Sequence, residues 1–115
     1  MIIKKTEDIP EVLLDEQKIK GVYRKILLGP DDGSLKIVMR LYNVTPGGYT
    51  PFHSHEHEHI VRVENGKGVV VTNDGEEIVV SKGQNLLVES NEKHQFKNPF
   101  HEPFKFSCTI NNPEK

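Results

Sequence analysis

The sequence has few of the features that mark secreted, membrane or nucleic-acid-binding proteins. One cysteine among 115 residues excludes an internal disulfide, and no apolar run approaches the roughly 18 residues that span a bilayer. The formal net charge is −2 and the basic residues are scattered, which argues against a nucleic-acid partner. The first residues turn acidic where a signal peptide would stay apolar, so we expect a cytoplasmic protein without a membrane partner.

Helical patterning is also scarce, whereas turn residues are frequent. The hairpin-type pairs are Asp32-Gly33, Asn65-Gly66 and Asp74-Gly75, and Pro46-Gly47-Gly48 marks a further corner. Residues 7–19 could form a short helix, although Pro10 weakens that prediction. The strand candidates are 21–28, 35–44, 51–56, 59–64, 68–73, 76–80, 85–89, 94–98 and 103–110. Short strands at this spacing predict an antiparallel sandwich or barrel, in a single domain spanning residues 1–115.

Histidine is the residue type that stands out. The run His53-Ser54-His55-Glu56-His57-Glu58-His59 contains four histidines, and a fifth, His94, lies alone near the other end of the chain. Imidazole is the commonest metal ligand in proteins, and at pH 7 it is mostly neutral and able to coordinate. These residues therefore indicate a transition-metal site built from nitrogen ligands.

Distance limits how the run can be used. In one straight strand, His53 and His59 would lie roughly 20 Å apart, whereas one metal ion bridges Cα atoms within roughly 12 Å of each other. If His53, His55 and His59 act together, the chain must turn between residues 55 and 59. His57 then falls inside the turn, where we expect it to point outward into solvent, as we also expect of His101.

The alternation of side chains along the strands predicts which residues face inward. His59 shares its face with Val61 and Val63, and His94 shares its face with Phe96. The inward residues expected to line the core or a pocket beside the metal are Phe96, Phe104, Phe106 and Cys108. Cys108 is either a small buried apolar residue or a pocket thiol. Arg40 and Tyr49 could contact a substrate, but the alternation does not single them out.

Two spaced motifs resemble those of the cupin superfamily. Gly47, His53-x-His55, His59 and Gly66 follow the first cupin motif, G-x5-H-x-H-x3,4-E-x6-G, and Gly83, His94 and Asn98 follow the second, G-x5-P-x-G-x2-H-x3-N. The motifs cover residues 47–98. The resemblance implies an all-β fold, the double-stranded β-helix or jelly-roll cupin barrel of two antiparallel sheets. It also implies that the metal ligands are His53, His55, His59 and His94.

The chain departs from the family pattern at two places. His59 stands where the first motif usually has glutamate, so the chain resembles the four-histidine group of small single-domain cupins. Glu89-Ser90-Asn91 stands where the second motif usually has P-x-G. Four neutral ligands leave the charge of a divalent ion uncompensated, which makes the ion a stronger Lewis acid. The resemblance favours manganese or iron, while nickel, zinc and copper also suit an all-imidazole site.

Two classes of function fit these residues. The first is a small metalloenzyme, most plausibly a dioxygenase-like oxidoreductase that acts on a small chelating organic molecule; a metal-dependent isomerase or decarboxylase is its enzymatic variant. The second is a non-catalytic barrel that binds a small ligand or uses metal for stability. No inward Asp or Glu is evident, which favours metal-centred chemistry over proton shuttling.

Apolar residues near the N-terminus predict self-association. The arm of residues 1–20 and the strand after it carry more apolar surface than a monomer exposes comfortably. Those apolar residues are Ile2, Ile3, Ile9, Val12, Leu13, Leu14, Ile19 and Val22. Because small cupins commonly pair, the resemblance implies a homodimer in which the arm takes part.

Overall fold

Short runs of β-branched and aromatic residues form most of the structure. A computed structural model describes residues 1–112 of the chain. Its strands are β1 (Val12–Leu13), β2 (Lys20–Leu28), β3 (Ile37–Tyr49), β4 (His59–Asn65), β5 (Lys67–Val71), β6 (Glu77–Ser81), β7 (Asn85–Val88), β8 (Gln95–Lys97) and β9 (Phe104–Asn111). Within this range the helical elements are two 3-10 turns, Thr6–Asp8 and Pro30–Asp32. The predicted all-β class is confirmed.

The strands pair antiparallel and curl into a jelly-roll barrel, as the motifs imply. One layer has the order β2, β3, β9, β4 and β7, and β1 extends it beside β2. The other layer consists of β6, β5 and β8. The two layers join where Tyr49, at the end of β3, pairs with Lys97 of β8. The two predicted sheets are thus joined by hydrogen bonds into one continuous, curled sheet.

Glycines sit where the chain passes between the layers. Pro46-Gly47-Gly48, predicted as a corner, lies inside β3, and Gly47 has a φ of 82° there. The hairpin predicted at Asn65-Gly66 is wrong, since β4 pairs with β7 and β9 whereas β5 pairs with β6 and β8. That pair instead carries the chain across the barrel. Gly33 and Gly75 do lie between strands that pair, as predicted.

Residues of one parity fill the space between the layers. The largest fully buried side chains are Phe104, Phe106, Val22, Val44, Val61, Val63, Asn98 and Cys108. Gly68 of β5 makes room for this core, because a Cβ atom there would collide with the ring of Phe104. The predicted inward faces of β4, β8 and β9 are therefore confirmed.

Two predicted elements differ from the structure. Residues 51–56 form no strand, and their pairing is an isolated bridge between His53 and His94. Pro51 cannot donate to a ladder, and the segment lacks alternating apolar residues. Residues 7–19 form no α-helix, because the chain after Pro10 is extended and Val12–Leu13 pairs with β2.

The N-terminal arm is only partly packed on the barrel. Leu14 and Ile19 lie against the core, and Val22 is fully buried. The exposed apolar residues of the arm are Ile2, Ile3, Val12 and Leu13. None of the helices in residues 1–112 is long and apolar enough to cross a membrane.

Candidate metal centre

The histidines reach one end of the barrel from separate parts of the chain. His59 is the first residue of β4, and His94 immediately precedes β8. His53 lies in the connection from β3 to β4 and exchanges two backbone hydrogen bonds with His94, at 3.1 and 2.9 Å. This bridge holds a residue of the first motif beside a residue of the second.

The four imidazoles that the motifs predict as ligands lie together. The ring centroid of His94 is 5.4 Å from that of His53, 4.9 Å from that of His55 and 5.3 Å from that of His59. The donor nitrogens form two overlapping groups, His53–His55–His94 and His55–His57–His59, with the donors of each group within 4.8 Å of one another. His55 is common to both groups.

His57 does not point outward, which corrects the expectation from the sequence. Its ring stacks on His55 with centroids 4.2 Å apart and an interplanar angle of 6°, and it lies 4.9 Å from His59. The side chain is half-buried and lines the same cavity as the other four histidines. The turn between residues 55 and 59 is so tight that it stacks these rings. His101 is exposed, as expected.

Hydrogen bonds orient the two buried rings. His94 donates from Nδ1 to the carbonyl oxygen of Glu92 at 2.8 Å, which leaves Nε2 unprotonated in the neutral ring. His59 places Nδ1 3.0 Å from the Sγ atom of Cys108, and its Nε2 lies 3.0 Å from Nδ1 of His55. A carbonyl partner on the second nitrogen is the usual way that proteins orient a metal-binding imidazole.

Burial keeps this cluster neutral. It lowers the pKa of His55 to about 4 and the pKa of His59 to about 2, and neighbouring imidazoles add to both shifts. Burial is also the main cause of the lowered pKa of His53 and of His57. Because only neutral imidazole coordinates metal, a set of neutral nitrogens brought within 4.8 Å fits a transition-metal ion.

The cluster forms one wall of a cavity of about 230 Å³. Cys108, Phe96 and Phe106 line this cavity, and the two phenylalanine rings stack with centroids 4.4 Å apart. Phe104 takes the core alternative of that prediction, because it is fully buried against Gly68. Burial raises the pKa of the Cys108 thiol, so the thiol is protonated at pH 7.

Sequence reasoning missed several residues that line the cavity. Arg24, Tyr42 and Glu16 line the cavity together with Arg40, which was an unplaced candidate. The alternation of side chains along the strands could have found Arg24, Arg40 and Tyr42. Arg24 shares a face of β2 with the buried Val22, and Arg40 and Tyr42 share a face of β3 with the buried Val44. Glu16 lies in the arm, where no pattern marks it. Tyr49 is exposed and pairs with Lys97 at the layer junction.

Known proteins share both the sequence pattern and the fold of this chain. Residues 40–110 match the family model described as a cupin domain. None of the curated proteins matches the chain at a significant level. Among solved structures, the polyketide cyclase RemF from Streptomyces resistomycificus is 26% identical with a TM-score of 0.92, covering 96% of this chain and 79% of that one.

Two further structures share the fold at lower identity. A predicted oxalate decarboxylase from Thermotoga maritima is 20% identical with a TM-score of 0.84, covering 96% of this chain and 98% of that one. A cupin-2 domain protein from Rhodospirillum rubrum is 22% identical with a TM-score of 0.81, covering 96% and 74% of the two chains. At these identities the likeness concerns the fold.

Proposed function

The chain belongs to the cupin domain family, and from that premise we propose that it is a metal-dependent enzyme acting on a small carbonyl compound. The observation that carries the proposal is the wall of five imidazoles in a cavity of about 230 Å³. This volume lies below the roughly 300–1,000 Å³ typical of pockets for drug-sized ligands, which points to a small molecule.

The predicted ligands His53, His55, His59 and His94 are the residues proposed to hold the ion. Bound by neutral nitrogens, a divalent ion would keep its charge and act as a Lewis acid that polarises a carbonyl oxygen. Manganese and iron remain the metals we propose first. Support for carbonyl chemistry comes from RemF, which is a polyketide cyclase and is 26% identical to this chain.

His57 is the residue that we propose as the general base. Its lowered pKa leaves the ring neutral at pH 7, so one ring nitrogen can accept a proton from carbon next to a carbonyl. The ring lies in the cavity wall but outside the ligand set implied by the cupin motifs. Cys108 would position His59 through the 3.0 Å contact between Sγ and Nδ1.

Metal content tests the site directly. Protein purified without a histidine tag should contain about one transition-metal ion per chain, measured by mass spectrometry of the ions. His94→Ala and His59→Ala should each lower the metal affinity by more than the roughly 10- to 100-fold that loss of a residue orienting a ligand costs. His101→Ala, which changes an exposed residue, should keep the wild-type metal content. Wild-type protein without stoichiometric metal would contradict the proposal.

Proton exchange tests the chemistry. We expect the metal-loaded enzyme to accelerate exchange of the C3 protons of 2-oxobutyrate in deuterated water, followed by proton NMR. His57→Gln should lower the exchange rate by about 100-fold or more while the metal content stays unchanged. Loss of metal in His57→Gln would instead identify His57 as a ligand.

Dioxygen uptake, measured beside proton exchange, distinguishes this proposal from an oxidoreductase and from a non-catalytic barrel. Dioxygen uptake in proportion to the substrate consumed would favour the oxygen-dependent oxidoreductase predicted from the sequence. Bound metal with neither proton exchange nor dioxygen uptake, across a panel of 2-oxo acids and β-dicarbonyl compounds, would favour a non-catalytic barrel.

A further inference from the structure

Two guanidinium groups share the cavity with the histidines, and neither has a carboxylate partner among residues 1–112. Arg24 and Arg40 are half-buried and line the cavity. The ion pairs found in residues 1–112 are Lys4–Asp32, Arg62–Glu64 and Lys97–Glu77. Glu16, the acidic residue of the cavity wall, is exposed and pairs with neither arginine within 4.0 Å.

Among residues 1–112, the groups in contact with Arg40 are weak or uncharged hydrogen-bond and cation–π partners. Its Nη2 donates to the Sγ atom of Cys108 at 3.2 Å, and its guanidinium carbon lies 5.2 Å from the ring centroid of Tyr42. Its Nε is buried and has no hydrogen-bond partner. Withdrawing a cation from water without a counter-charge is costly, so this arrangement suits an anion supplied from outside the chain.

The balance of charge in the cavity points the same way. Burial raises the pKa of the hydroxyl of Tyr42, so this residue of the cavity wall brings no negative charge at pH 7. Arg24 and Arg40 bring two positive charges to the cavity wall, and Glu16, the acidic residue that lines it, is exposed. The stacked rings of Phe96 and Phe106 give the same cavity an apolar surface.

We propose that the cavity selects a small organic carboxylate, whose charged group pairs with Arg40 and Arg24 while its apolar body lies on the phenylalanine rings. The planar guanidinium presents parallel N–H groups that match the two oxygens of a carboxylate. The inference deepens the proposed function by naming the substrate class of that site. The pairing itself needs no metal.

Binding of a matched pair of probes tests this proposal. Benzoate and benzamide have nearly the same shape, but only benzoate carries a charge. We expect wild-type protein to bind benzoate about tenfold more tightly than benzamide in calorimetric titrations, and the difference to shrink as salt is added. The titrations are run on metal-loaded protein and on protein dialysed against a chelator.

Substitutions assign the preference to the arginines. Arg40→Met should abolish the preference for benzoate, and Arg40→Lys, which keeps the charge but lacks the planar fork, should retain part of it. Arg62→Met on the exposed face of β4 is the matched control and should bind as wild type does. If Arg40→Met does not fold, Arg24→Met and Arg40→Lys still report a weakened preference.

A structural role for Arg40 would give a different result. Arg40→Met would then lower the melting temperature while leaving the ratio of the two affinities unchanged. Equal binding of benzoate and benzamide by wild-type protein in both metal states, or an undiminished preference in Arg40→Met and Arg24→Met, would overturn the proposal. A preference for benzoate in protein that holds no stoichiometric metal would sustain this inference while the proposed function fails.

Discussion

Desolvation governs the protonation of the histidine cluster. Removing an imidazole from water disfavours its charged form, so His55 has a pKa of about 4 and His59 a pKa of about 2. In an unfolded chain the same side chains titrate near pH 6.5. Below that pH the unfolded state binds protons that the folded state does not, so folding stability declines as the pH falls.

A pH series of unfolding experiments checks this linkage. We expect the free energy of unfolding of chelator-treated protein to be fully retained above about pH 6.5 and to fall between pH 6.5 and pH 4. His55→Gln should give a shallower decline over that window, because it removes one of the groups with a lowered pKa. Denaturation by urea at each pH supplies the measurement, and parallel curves for the two proteins would refute the expectation.

The histidine run predicts metal ligation, but it does not predict the orientation of every histidine side chain. The alternation of side chains correctly predicts that His59 and His94 face inward, because both adjoin regular strands. His57 lies in an irregular turn, where no period applies, and its stacking on His55 depends on the turn geometry. The assignment of His53, His55, His59 and His94 as ligands stays a prediction.

At the scale of elements, glycine placement shows how the barrel closes. Gly66 has a φ of 68°, and a Cβ atom there would meet the carbonyl oxygen of Pro103 at the start of β9. Gly75 has a similar φ of 83°, but a Cβ atom there would meet no heavy atom of residues 1–112 within 4 Å. The sequence marks both as turns, whereas their different surroundings depend on which strands come together.

Alanine substitutions at these two glycines should distinguish the cost of a positive φ from the cost of a steric collision with the backbone. We expect Gly75→Ala to lower the free energy of unfolding by about 1 kcal/mol, since only the positive φ opposes it. Gly66→Ala should lower it by about 3 kcal/mol or more, because the new methyl group also meets backbone that cannot move freely. Equal losses in urea denaturation would show that the Pro103 contact is unimportant.

At the scale of the whole molecule, exposed apolar residues support the homodimer predicted from the sequence. Ile3 is 84% exposed, and Val12 and Leu13 are each more than half exposed. Leu14 and Ile19, which are partly buried, pack against the core and hold the arm on the barrel, and they leave this surface outward. We propose that a second copy of the chain covers it.

Light scattering coupled to gel filtration measures the assembly. Wild-type protein at micromolar concentration should have twice the mass of 13.1 kDa calculated for one chain. Val12→Asp combined with Leu13→Asp should give monomers, because burying unpaired carboxylates in an interface is unfavourable. Ile60→Asp, which changes an exposed residue of β4, should leave the dimer intact. A wild-type monomer would refute the proposal, and dissociation by Ile60→Asp alone would place the interface on the outer face of the sheet.

The sequence by itself determined the all-β class, most strand positions, the inward faces of β4, β8 and β9, and which histidines are candidate ligands. These are local properties, set by the period of two along a strand and by the conformations that glycine and proline allow. Only the tertiary structure decided that His53 pairs with His94, that His57 joins the cluster, and that Arg24 and Arg40 line the same cavity. Those neighbours are distant in sequence, and their proximity follows from strand pairing across the barrel, which no local period records.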